Sequence, residues 1–152
     1  MPDASAKLEI IELFSTYLLY CDERRFSSEP FAALFTDNAI VKMPFMRESK
    51  GAKDTQKLHV AFFSQFKSTH HVSSNYVFLF SSDSEAEVRC KLSSYYDMLG
   101  AQNKDGQNAN FLTADVKFSV VHDGKQWYIR RLHVDIKNVY ALNIGAKIKD
   151  TL

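Results

Sequence analysis

The chain has 152 residues, 24% of them charged, and a formal net charge of +1. That length suits one domain with a sizeable core, and so balanced a charge leaves no field to gather nucleic acid or an anionic membrane. Aromatic residues make up 13%, twelve Phe and seven Tyr among them, enough to line a cavity or a large apolar interface as well as fill a core.

Cys21 and Cys90 stand singly, with no disulfide or metal spacing. No leader is apparent, so they are expected to be reduced thiols in a cytoplasmic protein. No apolar run approaches membrane-spanning length.

The first helix is expected over residues 6–24, capped by Asp3 or Ser5. Ile10, Phe14, Tyr17 and Cys21 share one arc of its wheel, flanked by Ile11 and Leu18. Asp22 falls about 20° from Ile11 and about 40° from Leu18, at the rim of the apolar face, where an acid needs a partner. That partner is either Arg24 or Arg25 nearby, or a group inside the fold.

Ser27-Ser28-Glu29-Pro30 starts a short second helix with Phe31, Leu34 and Phe35 as its buried stripe, ended by Thr36-Asp37-Asn38. Residues 39–43 read as a strand stopped by Pro44. Gly51 precedes a third helix over 52–67 with Leu58, Phe62 and Phe66 on one face.

Residues 69–80 then form a long strand rich in aromatic and β-branched side chains. Simple alternation puts His71, Ser73, Asn75, Val77 and Leu79 on one face and His70, Val72, Ser74, Tyr76, Phe78 and Phe80 on the other. The outer sheet face, with Tyr76, Phe78 and Phe80 or their neighbours, is expected to pack against another copy of the chain. Residues 85–99 form a half-wet strand, 100–110 a polar hairpin loop, and 111–122 a further strand. Asp123-Gly124 turns into a last strand over 126–140, with Trp127, Ile129, Arg131, His133 and Asp135 on one side. Residues 141–152 read as a tail to this single domain, whose core spans about 6–140.

Helices first and hairpin-linked strands after argue an α+β fold. The expected form is a cone-shaped barrel of a curved, mostly antiparallel sheet with three N-terminal helices around one cavity. His133 and Asp135 form a second possible acid–imidazole pair or an ordinary polar strand end. His59, His122 and His133 show no metal-ligand spacing, so neither metal nor cofactor is expected.

The pieces Tyr17…Asp22…Phe26, Leu34-Phe35-Thr36-Asp37-Asn38-Ala39, Gly51, Thr69-His70-His71-Val72 and Trp127-Tyr128-Ile129-Arg130-Arg131 occur in a familiar order. In them the chain resembles the SnoaL-like group of the nuclear transport factor two-like, cystatin-like superfamily. That group includes scytalone dehydratase, bile-acid dehydratases, polyketide cyclases and dioxygenase β subunits. The resemblance implies that Asp22 pairs with His71 in a cavity, and that Arg131 lines it. Two tyrosines of scytalone dehydratase are replaced here by Cys21 and Met43. Its second histidine has no counterpart, with Tyr95 or Tyr96 in that neighbourhood.

A carboxylate fixes an imidazole's tautomer and stabilises its protonated form, so such a pair can move a proton next to a carbonyl or to a leaving hydroxyl. The resulting expectation is a cofactor-independent lyase or isomerase for a small apolar ring compound. Asp22 and His71 would be catalytic, and Tyr17, Arg131, Tyr96 and Phe62 would hold the substrate. The rival expectation is a non-catalytic ligand-binding or assembly module similar to a dioxygenase β subunit. That rival expects a pocket filled by its own side chains and association with a larger partner. A homodimer through the outer sheet face is expected, without nucleic acid or membrane.

Overall fold

In a computed structural model of the chain, residues 3–98 and 109–142 are described. Helix α1 spans Ala4–Asp22, and its Asp3 cap accepts a hydrogen bond from the Ala6 amide at 3.0 Å. Ile10, Phe14, Tyr17, Leu18 and Cys21 are its buried stripe. Arg24, at φ 59°, turns the chain away.

Helix α2, Glu29–Ala32, is capped by Ser28 and is shorter than its apolar pattern suggests. Four residues are too few to hold a helix against a competing strand. The chain turns extended at Phe35, whose backbone pairs with Ile129, while the Leu34 carbonyl accepts from the Ile129 amide at 2.8 Å. Strand β1 is therefore Phe35–Lys42, followed by the short β2, Ser49–Lys50. Gly51, at φ 82°, opens helix α3, Ala52–Phe63. A side chain there would meet the Asp37 carbonyl at 3.1 Å, so the close approach of β1 requires glycine.

The remaining strands are β3 (Phe66–Ser82), β4 (Glu85–Met98), β5 (Ala109–His122) and β6 (Trp127–Leu142). All six strands form one curved sheet in the order β2-β1-β6-β5-β4-β3, antiparallel except for β1 beside β6. The architecture is α+β as expected, but β2 and β3 remain free edges, so the sheet is not closed into a barrel. The hairpin loop expected over 100–110 lies outside the described residues except at its end. β6 extends to Leu142, and the rest of the expected tail lies outside them.

Helix α1 lies across the inner face of the sheet, where Phe14 stacks on Phe118 with ring centroids 4.7 Å apart. Extra residues in the ladders bend the sheet and reverse its facing. Around Asn75 (φ 58°) the β3–β4 register shifts. Thr69, His71 and Ser73 turn inward before the bulge. After it Tyr76, Phe78 and Phe80 do so, packed against the core. The expectation that those three rings face outward is corrected: Val72, Val77 and Leu79 are the exposed apolar residues of β3.

In β6, Ile129 and Arg131 oppose adjacent residues Val120 and Ser119, leaving Arg130 as the extra residue. Trp127 and Ile129 are buried, yet past the bulge Leu132 is the buried residue and Arg131, His133 and Asp135 are exposed. Among the described residues, no helix is long and apolar enough to cross a membrane.

Candidate active site

The last residue of α1 and the first turn inward of β3 come together. Asp22 Oδ1 lies 2.6 Å from His71 Nδ1, and Oδ2 accepts from the His71 amide at 3.0 Å. Thr69 Oγ1 donates to Oδ1 at 2.9 Å and itself accepts from Arg24 Nη1 at 2.8 Å. Arg24 also reaches the Cys21 carbonyl and lies over the Phe63 ring, so it braces the pair through Thr69. The His71 and Asp22 side chains are 4% and 18% exposed.

Burial pushes the Asp22 carboxyl upward, but the His71 ring and amide and the Thr69 hydroxyl outweigh it and hold the group below its ordinary value. Asp22 is thus the acceptor of the Nδ1 proton, so in the neutral ring Nε2 carries the lone pair. Tyr96 Oη sits 3.1 Å from Nε2 and, to that neutral ring, donates.

The cavity has two parts. An outer vestibule of about 400 Å³ is walled by Pro44, Phe45, Met46, Phe62, Phe66 and Leu112, among others. Behind it lies an inner chamber of about 30 Å³, where His71 meets Tyr17, Cys21, Phe63, Leu92 and Val134. Phe62 and Tyr96 line both.

Of the six residues expected in the site, Tyr17, Phe62, His71 and Tyr96 line this cavity, and Asp22 is bonded to His71. Arg131 does neither. Unbroken alternation would have carried it inward with Ile129, and the extra residue Arg130 sends it to the outer face. His133 and Asp135 share that face in a shallow charged groove of about 480 Å³, where Lys137 holds Asp135 at 2.5 Å.

Three further residues contribute that were not among the expected site residues. Thr69 and Arg24 are spaced like ordinary polar residues. His59 carried a readable signal: it lies on the Thr55, Leu58, His59, Phe62 stripe of α3. It is fully buried among Phe26, Phe31 and Phe63, with Nδ1 2.7 Å from the Thr55 carbonyl and Nε2 2.8 Å from Tyr17 Oη. Burial lowers its pKa to about 4. Among the described residues, no group of three or more His, Cys, Asp or Glu side chains is placed to hold a metal ion.

A curved sheet wrapped over three helices, with a carboxylate–imidazole pair behind an apolar vestibule, defines a class of α+β proteins with an internal cavity. The SnoaL-like domain matches residues 2–133, and the chain belongs to that family. Solved structures agree on the fold. A candidate scytalone dehydratase from Novosphingobium aromaticivorans superposes with TM-score 0.77 at 20% identity, covering 91% of this chain and 88% of that one. A type 2 hexachlorocyclohexane dehydrochlorinase (LinA) gives 0.81 at 16%, covering 92% and 90%. A protein of unknown function with a cystatin-like fold from Nostoc punctiforme gives 0.73 at 22%, covering 90% and 94%. No curated protein sequence matches.

Proposed function

We propose that this chain is a cofactor-independent lyase or isomerase that moves a proton on a small, mostly apolar ring compound bearing a carbonyl or hydroxyl group. Asp22 and His71 are the proton-transfer pair. The observation that carries the reading is their 2.6 Å contact, with the His71 ring lining a small chamber behind an apolar vestibule. An ionised carboxylate there stabilises the imidazolium that forms when the ring takes a proton. The neighbours named for loss of water and of hydrogen chloride lend support, since both reactions remove a proton and a leaving group. Phe62 and Tyr96 bound the substrate space, and Tyr17 walls the inner chamber.

Nitrobenzisoxazole tests this without knowledge of the natural substrate: it is a flat aromatic carbon acid that opens on loss of one proton. Asp22→Asn and His71→Ala should each slow its opening by about 10²–10⁴-fold. Undiminished rates in both variants end the proposal.

A second reading, a non-catalytic ligand-binding or assembly module, is favoured by one observation. The inner chamber, at about 30 Å³, is almost filled by the chain's own side chains. It expects apolar ring compounds to bind without turnover, and Asp22→Asn to bind them as well as wild type.

Under either reading, the outer face pairs with a second copy. Val72, Val77, Leu79 and Tyr95 are each at least half exposed there. Leu79→Lys combined with Val77→Lys should then leave a monomer in light scattering where wild type is a dimer. The two free buried thiols, Cys21 and Cys90, fit a reducing compartment such as the cytoplasm.

A further inference from the structure

The vestibule and the inner chamber share Pro44, Phe62, Tyr96 and Leu112, and of these only Tyr96 carries a titratable group. His71 lines the inner chamber alone. That chamber has room for about one water molecule. A ring compound fits the 400 Å³ vestibule and not the 30 Å³ chamber, so its reacting atoms reach the neck before they reach the imidazole. At the neck, the Tyr96 hydroxyl already donates to the lone pair that a base needs, His71 Nε2.

A second observation bears on the same oxygen. Ser94 lies opposite His71 in the β3–β4 ladder, two residues before Tyr96 on the inward face of β4. It is 0% exposed, and its hydroxyl makes no hydrogen bond of acceptable geometry. An unpaired buried hydroxyl costs about 1–3 kcal/mol and calls for a reason. Burial drives the Tyr96 phenol far above its ordinary value, and the nearby Ser94 hydroxyl is the leading influence the other way, favouring the phenolate. An unpaired donor on the same inward face can turn to the phenol oxygen as charge develops there.

We propose that Tyr96, rather than His71, exchanges the proton with the substrate, and that Asp22 and His71 drive that exchange from behind. The proposal rests on the proton-transfer reading above. As the substrate's C–H bond breaks, its proton passes to the Tyr96 oxygen while the phenol's own proton passes to Nε2 of His71. The electron pair left on carbon forms the new double bond and expels the leaving group. The imidazolium is held by Asp22, and Ser94 steadies the phenol oxygen. To reset, the phenol gives its proton to the leaving hydroxide, forming water, and recovers one from Nε2. One proton leaves carbon and one reaches the leaving group, so the pair ends as it began.

Steady-state opening of nitrobenzisoxazole by the full chain separates this from direct attack by the imidazole. Tyr96→Phe removes one oxygen and keeps the ring. The relay expects kcat to fall by about 10²-fold or more with KM held within about twofold. It expects 3-fluorotyrosine at position 96, a phenol that yields its proton more readily, to restore turnover. Ser94→Ala should lower kcat by about tenfold. Direct attack predicts the opposite sign, because removing the hydroxyl unmasks Nε2: an unchanged or raised kcat in Tyr96→Phe overturns the relay. If Asp22→Asn and His71→Ala still lose turnover in that case, the proton-transfer pair survives and only the role of Tyr96 is lost. A wild-type chain that leaves the opening at its buffer rate overturns both.

Discussion

The Tyr17 hydroxyl donates to Nε2 of His59 across 2.8 Å, and the Thr55 carbonyl fixes that direction. A carbonyl only accepts, so the His59 proton sits on Nδ1 and its other nitrogen must accept. Burial keeps this imidazole neutral near pH 7 and pushes the Tyr17 phenol well above its ordinary value. The bond ties α1 to α3 through the floor of the chamber. Tyr17→Phe leaves a buried acceptor unpaired and should cost about 1–3 kcal/mol in urea denaturation. A stability equal to wild type would show that the bond contributes nothing net.

Acid should destabilise the protein over two successive pH ranges. The unfolded chain binds a proton at His59 below the ordinary value of 6.5, whereas the folded chain does so only below about 4. The site's contribution is complete above pH 6.5 and drains away as pH falls toward 4, amounting to about 3 kcal/mol. Asp22 then adds its share. Its folded value lies below the ordinary 3.8, so its contribution is present above 3.8 and is lost as pH falls through the lower value. Urea midpoints between pH 7 and pH 4 measure the first range. His59→Gln should flatten that slope, and a slope that survives the substitution assigns it elsewhere.

Arg131 lies on the outer face, away from the cavity. Arg131→Ala should change stability by no more than about 0.5 kcal/mol. It should also leave the opening of nitrobenzisoxazole unaltered. A marked rise in KM would mean that the guanidinium reaches the substrate after all.

Asn75 holds φ 58° inside a strand, a conformation that asparagine tolerates and β-branched residues do not. Asn75→Val should therefore cost about 1–2 kcal/mol, and Asn75→Gly should be near neutral. Thermal melting of the two variants checks the difference. Equal melting temperatures would remove the bulge's conformational demand.

Much of this was legible before any coordinates. The wheel placed Asp22 at the rim of an apolar stripe, and strand alternation placed His71 opposite His70, so their meeting needed only the right helix–strand packing. Tyr17 and Phe62 fell on the apolar faces of their helices, whereas the resemblance left Tyr95 and Tyr96 both open. Arg131 and the Tyr76, Phe78, Phe80 set were misread because alternation was extended through ladders that contain an extra residue. Asn75 offered a hint, since asparagine favours positive φ. Arg130 offered none, because its displacement follows from pairing with β5 and β1 rather than from its own chemistry. Phe35 was misplaced for a related reason: its helical spacing yielded to a parallel pairing with Ile129, 94 positions later in the chain.

The extra residue at Asn75 also acts as a change of parity. Upstream of it odd-numbered positions look into the fold, and downstream even-numbered ones do, so one strand delivers an imidazole at one end and a run of aromatic packing at the other. Losing or gaining a single residue between Ser73 and Tyr76 would force a choice between the two. Length variation in this short stretch should be poorly tolerated even though it lies at a sheet edge.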